Sequence, residues 1–204
     1  TILNLNELIS KYNLDTFVET GTLYGDGIDY ALTYPFKHIH SIEIIPELAL
    51  KASLKYSSNS RVTIHTGNSA DVLPDIVDNI DGNILFWLDA HFPGADAKIR
   101  PYAEMKNIPY TENLPLEKEI QSIAKRVDKF KDCLILDDLW IYEDCKDHGL
   151  STFDNHCKNH SHDIKLSDVI NDGKDLSFLY DTFSATHEFK KVYRHQGYVV
   201  VTPK

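Results

Sequence analysis

Acidic side chains follow several apolar runs of this chain, and their spacing suggests metal chemistry. Asp89 comes directly after a nearly all-apolar run, and His91 follows two residues later. Asp137 and Asp138 come directly after a second such run. If the two runs are neighbouring parallel strands, their ends lie ~5 Å apart and the carboxylates converge. The pattern predicts a Mg²⁺ site formed by Asp89, Asp137 and Asp138, unless Asp137 only caps the next segment.

His91 adds an acid–base group to these carboxylates. An imidazole titrates near neutral pH and can accept a proton from a hydroxyl or ligate a metal. We therefore expect His91 and Asp89 to be the catalytic pair of this site, with His91 as general base or as a further ligand.

A glycine-rich turn forms the second candidate site. The chain reads Glu-Thr-Gly-Thr-Leu-Tyr-Gly-Asp from Glu19 to Asp26, and Glu43 ends the next apolar run. A strand, turn, helix and strand with an acidic residue at that place is typical of a site that holds ribose hydroxyls. Thr22 stands where a pyrophosphate would approach the backbone, and Glu19 would repel it. A cationic or amino-acid-bearing ligand fits better, although the turn could also be a plain strand–helix connection.

Alternating elements predict how these residues are positioned. Strands are expected at 16–19, 38–44, 62–65, 83–88 and 133–136, and helices at 5–12, 25–32, 46–55, 70–76 and 116–130. Such alternation predicts an α/β fold with a Rossmann-like, doubly wound and mostly parallel sheet. Two β-rich segments, 189–193 and 198–202, flank a tight turn and predict a C-terminal antiparallel hairpin.

Two segments interrupt the alternation, and we expect both to be lid-like insertions in a single domain spanning 1–204. Residues 91–113 contain three prolines, and residues 140–186 are polar and rich in histidine. Loops of this length often serve function, and both follow strands that end in aspartate. The second contains two matching pairs, Cys145 with His148 and Cys157 with His160. They form a zinc-type ligand set or, since the gap between pairs is short, a polar surface loop.

Composition and charge restrict the partners. The 204 residues carry a formal net charge of −10, which argues against nucleic acid. No run approaches the ~20 apolar residues of a membrane span, so we expect no membrane partner. Three cysteines and the lack of an apolar leader favour the cytoplasm. The oligomeric state stays open, with a homo-oligomer among the alternatives.

The segment from Glu19 to Gly25 resembles the first motif of class I S-adenosylmethionine-dependent methyltransferases, in the E-x-G-x-x-x-G form of catechol-type and macrolide-sugar O-methyltransferases. The resemblance covers most of 15–140 and the final strands. It implies the class I methyltransferase fold and S-adenosylmethionine as cofactor. Glu19 and Gly21 would lie along its methionine part, and Glu43 would hold its ribose. The implied cofactor-binding set is Glu19, Thr20, Gly21, Thr22, Gly25, Asp26, Glu43, Ile44, Asn68, Ser69 and Asp89.

Metal-dependent members of that family carry an aspartate after strand four and an Asp-Asn or Asp-Asp pair after strand five, which Asp89 and Asp137-Asp138 resemble. The resemblance implies methyl transfer to a hydroxyl of a small molecule, such as a sugar, a glycosylated metabolite or an aromatic, with Mg²⁺ favouring the deprotonated hydroxyl. Two alternatives stay open: a metal-dependent oxidative enzyme on the same fold, and a non-catalytic nucleoside-binding module.

Overall fold

A computed structural model of the protein describes residues 4–143 and 176–204. The strands in these ranges are β1 (Leu14–Thr20), β2 (His38–Glu43), β3 (Val62–Thr66), β4 (Asn83–Leu88), β5 (Cys133–Leu136), β6 (His187–Val192) and β7 (Tyr198–Pro203). They form one seven-stranded sheet in the order β3-β2-β1-β4-β5-β7-β6. The first five strands pair in parallel, and β7 runs antiparallel between β5 and β6. The predicted parallel sheet with a C-terminal hairpin is confirmed.

Helices cover both faces of this sheet. They are α1 (Asn6–Tyr12), α2 (Asp26–Leu32), α3 (Pro46–Lys55), α4 (Ser69–Asp78), α5 (Tyr110–Asn113), α6 (Leu116–Ala124) and α7 (Ser177–Phe183), with short 3₁₀ helices at Tyr102–Asn107 and Leu139–Ile141. Pro46 occupies the first helical turn of α3, where its missing N–H costs no hydrogen bond. Within the described ranges, none of these helices has the length and apolar character needed to cross a membrane.

The central strands are almost wholly apolar because both of their faces are covered. Consecutive side chains of a strand point to opposite faces. Phe86 accordingly packs in the cluster beneath α4, α6 and α7, whereas Leu85 packs in the cluster with α1, α2 and α3. Both side chains are fully buried. This two-sided burial fixes the strand ends at which the polar residues stand.

The helix predicted over 116–130 is shorter than expected and ends at Ala124. Turns replace its last part, with the Arg126 N–H bonded to the Ile123 carbonyl at 2.9 Å. The buried Arg126 guanidinium turns inward to pair with Asp132, its Nε lying 2.8 Å from Oδ2. It also donates to three carbonyls at and after the end of α4, those of Val77, Ile80 and Gly82. The apolar spacing identified the buried face, but this polar anchor determines where the helix ends.

The two predicted insertions contribute to the core in their described parts. In the first, Phe92 is buried and its N–H donates to the Asn113 carbonyl at 2.9 Å. In the second, Leu179 and Phe183 of α7 are buried against the sheet. The remaining part, 144–175, includes Cys145, His148, Cys157 and His160 and lies outside the described residues. A lid role for either insertion, and the single domain over 1–204, stay predictions.

Replacing Arg126 by methionine should lower the free energy of unfolding by roughly 3–5 kcal/mol, because it leaves the buried Asp132 carboxylate without its charged partner. Urea denaturation at neutral pH measures the change. Lys125→Met, at the exposed neighbouring position, is the matched control and should stay within about 0.5 kcal/mol. A loss no larger than that of the control would contradict the anchoring role of Arg126.

Candidate functional site

A cavity of about 240 Å³ opens at the carboxyl edge of the parallel strands. Its walls come from the segments that follow β1, β2, β3, β4 and β5. Most of the predicted site residues line it, namely Gly21, Glu43, Ile44, Asn68, Ser69, Asp89, His91, Asp137 and Asp138. The sheet therefore brings the turn, the ribose-type carboxylate and the predicted metal ligands into one space.

The turn after β1 packs tightly on the end of β4. Gly21 has a φ of +86°, and a Cβ placed there would lie 2.8 Å from the Asp89 carbonyl oxygen. The Gly21 N–H also donates to the Ile42 carbonyl at 2.9 Å. Only glycine meets both the left-handed backbone and the close approach. Gly21 thus sets the distance between the turn and Asp89.

Glu43 holds the same turn from the side of β2. Its two carboxylate oxygens accept the N–H groups of Leu23 and Ile45, each at 2.9 Å. Burial raises the pKa of Glu43, and these backbone hydrogen bonds partly oppose the rise. Because each carboxylate oxygen has a further lone pair, Glu43 can also accept hydrogen bonds from hydroxyls in the cavity.

Asp89, His91 and Asp138 form a compact donor set. One ligand atom from each lies within 4.8 Å of the other two. The Nε2 atom of His91 lies 3.6 Å from Asp89 Oδ1 and makes a short contact with Asp138 Oδ2. The other Asp138 oxygen accepts the Trp140 indole N–H at 2.9 Å, which fixes the carboxylate. Such a set of oxygen and imidazole donors can hold a divalent cation.

Asp137, predicted as a metal ligand, is outside this donor set. Its carboxylate accepts the Asp138 N–H at 3.0 Å, although it still lines the cavity. Asp138 has a left-handed backbone with φ of +53°, which turns its side chain toward His91. His91 thus stands in the cluster at the place expected for Asp137.

Negative charge is concentrated around His91. Burial alone would lower the pKa of His91, but the charge and hydrogen bond of Asp138 outweigh burial and raise it well above its usual value. Burial and the charge of Asp89 raise the pKa of Asp137 to about 7. Without a cation, these carboxyl groups are balanced by protons, one of them on His91. The cluster therefore favours a positively charged ligand.

A second cavity of about 510 Å³ adjoins the first. The two cavities share Gly21, Leu23, Asp89, Asp137 and Gln196 as lining residues. The second is also lined by the predicted residues Glu19, Thr22 and Asp26, and by aromatic side chains, among them Tyr30, Trp87 and Tyr198. Thr20 and Gly25, also predicted to bind cofactor, line neither cavity. Thr20 is fully buried, and the Gly25 carbonyl accepts the Tyr56 hydroxyl at 2.8 Å.

Glu19 is a buried carboxyl group in the wall of the second cavity. It accepts the Ser41 hydroxyl at 2.5 Å, and the Thr22 hydroxyl lies 2.6 Å from that of Ser41. A Cβ at Gly27 would overlap Glu19, so the side chain packs directly on α2. Burial raises the pKa of Glu19 to about 8.

Glu119 is a site residue that the sequence analysis missed. This buried carboxyl group accepts the Ser69 hydroxyl at 2.5 Å, and burial raises its pKa to about 7. The sequence contains a signal for this buried carboxyl group, because Glu119 lies among Leu116, Ile120 and Ile123 on the apolar face of α6. Gln196, which lines both cavities, was also missed. It arrives on the β6–β7 turn, and no local pattern identifies it.

Comparison with solved structures identifies proteins that share this fold. No protein-family model matches the chain, and no curated protein matches its sequence. An O-methyltransferase of Bacillus cereus, solved with S-adenosylhomocysteine, is 14% identical with a TM-score of 0.53, over 98% of this chain and 79% of its own. A candidate caffeoyl-CoA O-methyltransferase of Staphylococcus aureus is 14% identical with a TM-score of 0.57, and the match covers 100% of this chain and 86% of its own. A candidate rRNA methylase of Clostridium thermocellum is 15% identical with a TM-score of 0.54, over 100% of both chains.

The chain therefore has the class I methyltransferase fold, as the resemblance of its turn implied. At this level of identity the likeness concerns the fold alone. The assignment of function has to come from the residues of the two cavities.

Glu19→Gln should flatten the dependence of stability on pH. A carboxyl group whose pKa is about 8 in the folded protein and 4.5 otherwise holds its proton more tightly when folded. It contributes stability that is lost as the pH rises from about 4.5 to 8, by roughly 1.4 kcal/mol per pH unit. Urea denaturation between these pH values measures the slope. Glu47→Gln, at an exposed position, is the control, and parallel slopes for Glu19→Gln and wild type would contradict the buried proton.

Proposed function

We propose that the protein is an S-adenosylmethionine-dependent methyltransferase that acts on a hydroxyl of a small molecule, assisted by a divalent cation such as Mg²⁺. One observation carries the proposal. Glu43, which we propose as the ribose-binding carboxylate, shares a single cavity with the donor set of Asp89, His91 and Asp138.

The residues that line the two cavities suit the parts of S-adenosylmethionine. Glu43 has acceptor capacity for the ribose hydroxyls, and Ile44, Asn68 and Ser69 line the same cavity on the side proposed for adenine. Asp26, in the adjoining cavity, suits the cationic amino-acid end, and a cation bound there would favour the ionised form of Glu19 beside it. When bound, the cofactor supplies an electrophilic methyl group. The B. cereus O-methyltransferase of the same fold was solved with S-adenosylhomocysteine, which supports this choice.

The donor set fits a hard divalent cation. Asp89 and Asp138 are its proposed ligands, and Asp137 is a further candidate because it lines the same cavity. The buried Nδ1 atom of His91 has no hydrogen-bond partner among the described residues, so this ring has donor capacity to spare. When bound, the cation supplies Lewis acidity and balances the carboxylate charge.

The chain's own residues position the acceptor and its proton. His91 contributes the only imidazole among the described residues that line the first cavity, and Asp138 orients it through Nε2. We assign to His91 Nδ1, the ring nitrogen opposite the one that Asp138 holds, the proton that leaves the acceptor hydroxyl. Phe92, Pro93 and Glu112 continue the wall beyond His91, where a small acceptor would lie.

The donor types favour methyl transfer over the oxidative alternative. Non-haem iron oxygenases use two histidines and one carboxylate, whereas this cluster offers one histidine and two carboxylates. A non-catalytic nucleoside-binding module would bind S-adenosylhomocysteine without turnover on any hydroxyl.

The net charge of −10 supports a small acceptor over nucleic acid. A cytoplasmic location stays a prediction, and the oligomeric state stays open.

Glu43→Gln should weaken S-adenosylhomocysteine binding by roughly 1–3 kcal/mol, about 5- to 150-fold, because charge-assisted hydrogen bonds to the ribose are lost. Isothermal titration calorimetry measures the affinity. Glu47→Gln, on the exposed first turn of α3, should bind like the wild type. Unchanged affinity in folded Glu43→Gln would place the nucleoside elsewhere.

Asp138→Ala should abolish Mn²⁺ binding at this site while S-adenosylhomocysteine affinity changes little, because Asp138 belongs to the donor set and not to the nucleoside wall. Electron paramagnetic resonance of free Mn²⁺ in a titration gives the number of sites. Asp78→Ala, at the exposed end of α4, is the control. Equal Mn²⁺ occupancy in Asp138→Ala and the control would refute the assigned cation site.

A further inference from the structure

A third cavity of about 650 Å³ lies at the β2–β3 edge of the sheet and shares no lining residue with the first two. We call it the histidine groove. Three imidazoles and four carboxylates line it: His38, His40, His65, Asp15, Asp71, Asp75 and Asp81. No lysine or arginine is among its lining residues. Asp15 and Asp81 already pair with Lys37 and Lys129, so the imidazoles and the carboxylates of Asp71 and Asp75 are the groups suited to a cation.

Two of the imidazoles are already in contact. The Nδ1 atom of His40 lies 3.0 Å from Nε2 of His65. The ring centroids are 5.3 Å apart, so the rings meet edge to edge through these nitrogens. Their strands are neighbours, with Ile42 opposite His65, and both side chains face α4. The sheet itself therefore holds two nitrogen donors close together.

Both rings are in the form that a metal requires. Burial, with a further contribution from the charge of His65, lowers the pKa of His40 to about 4, and burial lowers that of His65. At neutral pH one neutral ring donates its N–H to the other. On metal binding, that proton moves to the other nitrogen of the same ring, so both facing nitrogens present lone pairs without net proton release.

We propose that the histidine groove binds a divalent transition metal ion of the zinc type through His40 Nδ1 and His65 Nε2. Asp71 and Asp75, one turn apart on α4, line the same groove, and a change of side-chain rotamer would bring either carboxylate to the imidazoles as an oxygen ligand. Zinc accepts this mixture of imidazole and carboxylate. Such an ion would tie the edge strand β3 to β2 and α4. The proposal is independent of the methyltransferase activity.

Calorimetric titration with Zn²⁺ of the full chain carrying Asp138→Ala, which removes a donor from the carboxylate cluster, tests the site. The Cys145→Ser/Cys157→Ser variant separates the groove from the cysteine–histidine segment. We expect that variant to keep one Zn²⁺ site. His40→Ala and His65→Ala, made in the same background, should each lower the Zn²⁺ affinity of the groove by more than about 100-fold. Loss of a residue that only supports a ligand, and does not bind the metal itself, costs roughly 10- to 100-fold.

The controls determine what each result means. His195→Ala removes a histidine outside the groove and should leave Zn²⁺ affinity unchanged. Circular dichroism in EDTA checks folding, and His65→Gln replaces His65→Ala if the alanine variant unfolds. The melting temperature should rise with Zn²⁺ in the Cys145→Ser/Cys157→Ser parent and not in the histidine variants. Zn²⁺ binding that disappears with the two cysteines, or persists in both histidine variants, would overturn the proposal.

Discussion

The contact of the turn after β1 with the end of β4 is the constraint on which the site depends. A Cβ at Gly21 would lie 2.8 Å from the Asp89 carbonyl oxygen, so a larger residue would force the two segments apart. Glu43 fixes the other side of the turn through the Leu23 N–H. The nucleoside wall and the carboxylate cluster are therefore held by the same few backbone contacts. Their separation is set by the sheet and not by mobile side chains.

A cluster of buried carboxyl groups is the second property of this edge. Carboxyl groups that are buried close together raise one another's pKa unless a cation or proton balances them. In the described residues His91 is the nearest positive group, and it lies between Asp89 and Asp138. A sulfonium nucleoside and a divalent cation would both relieve this charge. The electrostatics thus support the same pair of ligands as the residues that line the two cavities.

Much of the fold followed from apolar patterning. The spans of β4 and β5 were predicted correctly because strands buried on both faces are nearly all-apolar. The early end of α6 was not predicted, because it depends on hydrogen bonds from Arg126 to carbonyls that are distant in sequence. Long-range polar anchors of this kind leave no local periodic signal.

The site was predictable as a set of strand ends but not in its detailed geometry. Which of Asp137 and Asp138 turns toward His91 depends on a left-handed backbone at Asp138. Gln196 enters through the closing hairpin, which only the folded sheet brings near. Glu119 was recoverable, since a carboxylate on an apolar helix face indicates a buried polar contact.

A crystal structure grown with S-adenosylhomocysteine and Mn²⁺, with anomalous data for the metal, tests the central claim most directly. The account predicts a nucleoside whose ribose hydroxyls meet Glu43, and one Mn²⁺ peak between Asp89 and Asp138. A nucleoside bound away from Glu43, or an anomalous peak remote from these aspartates, would contradict it.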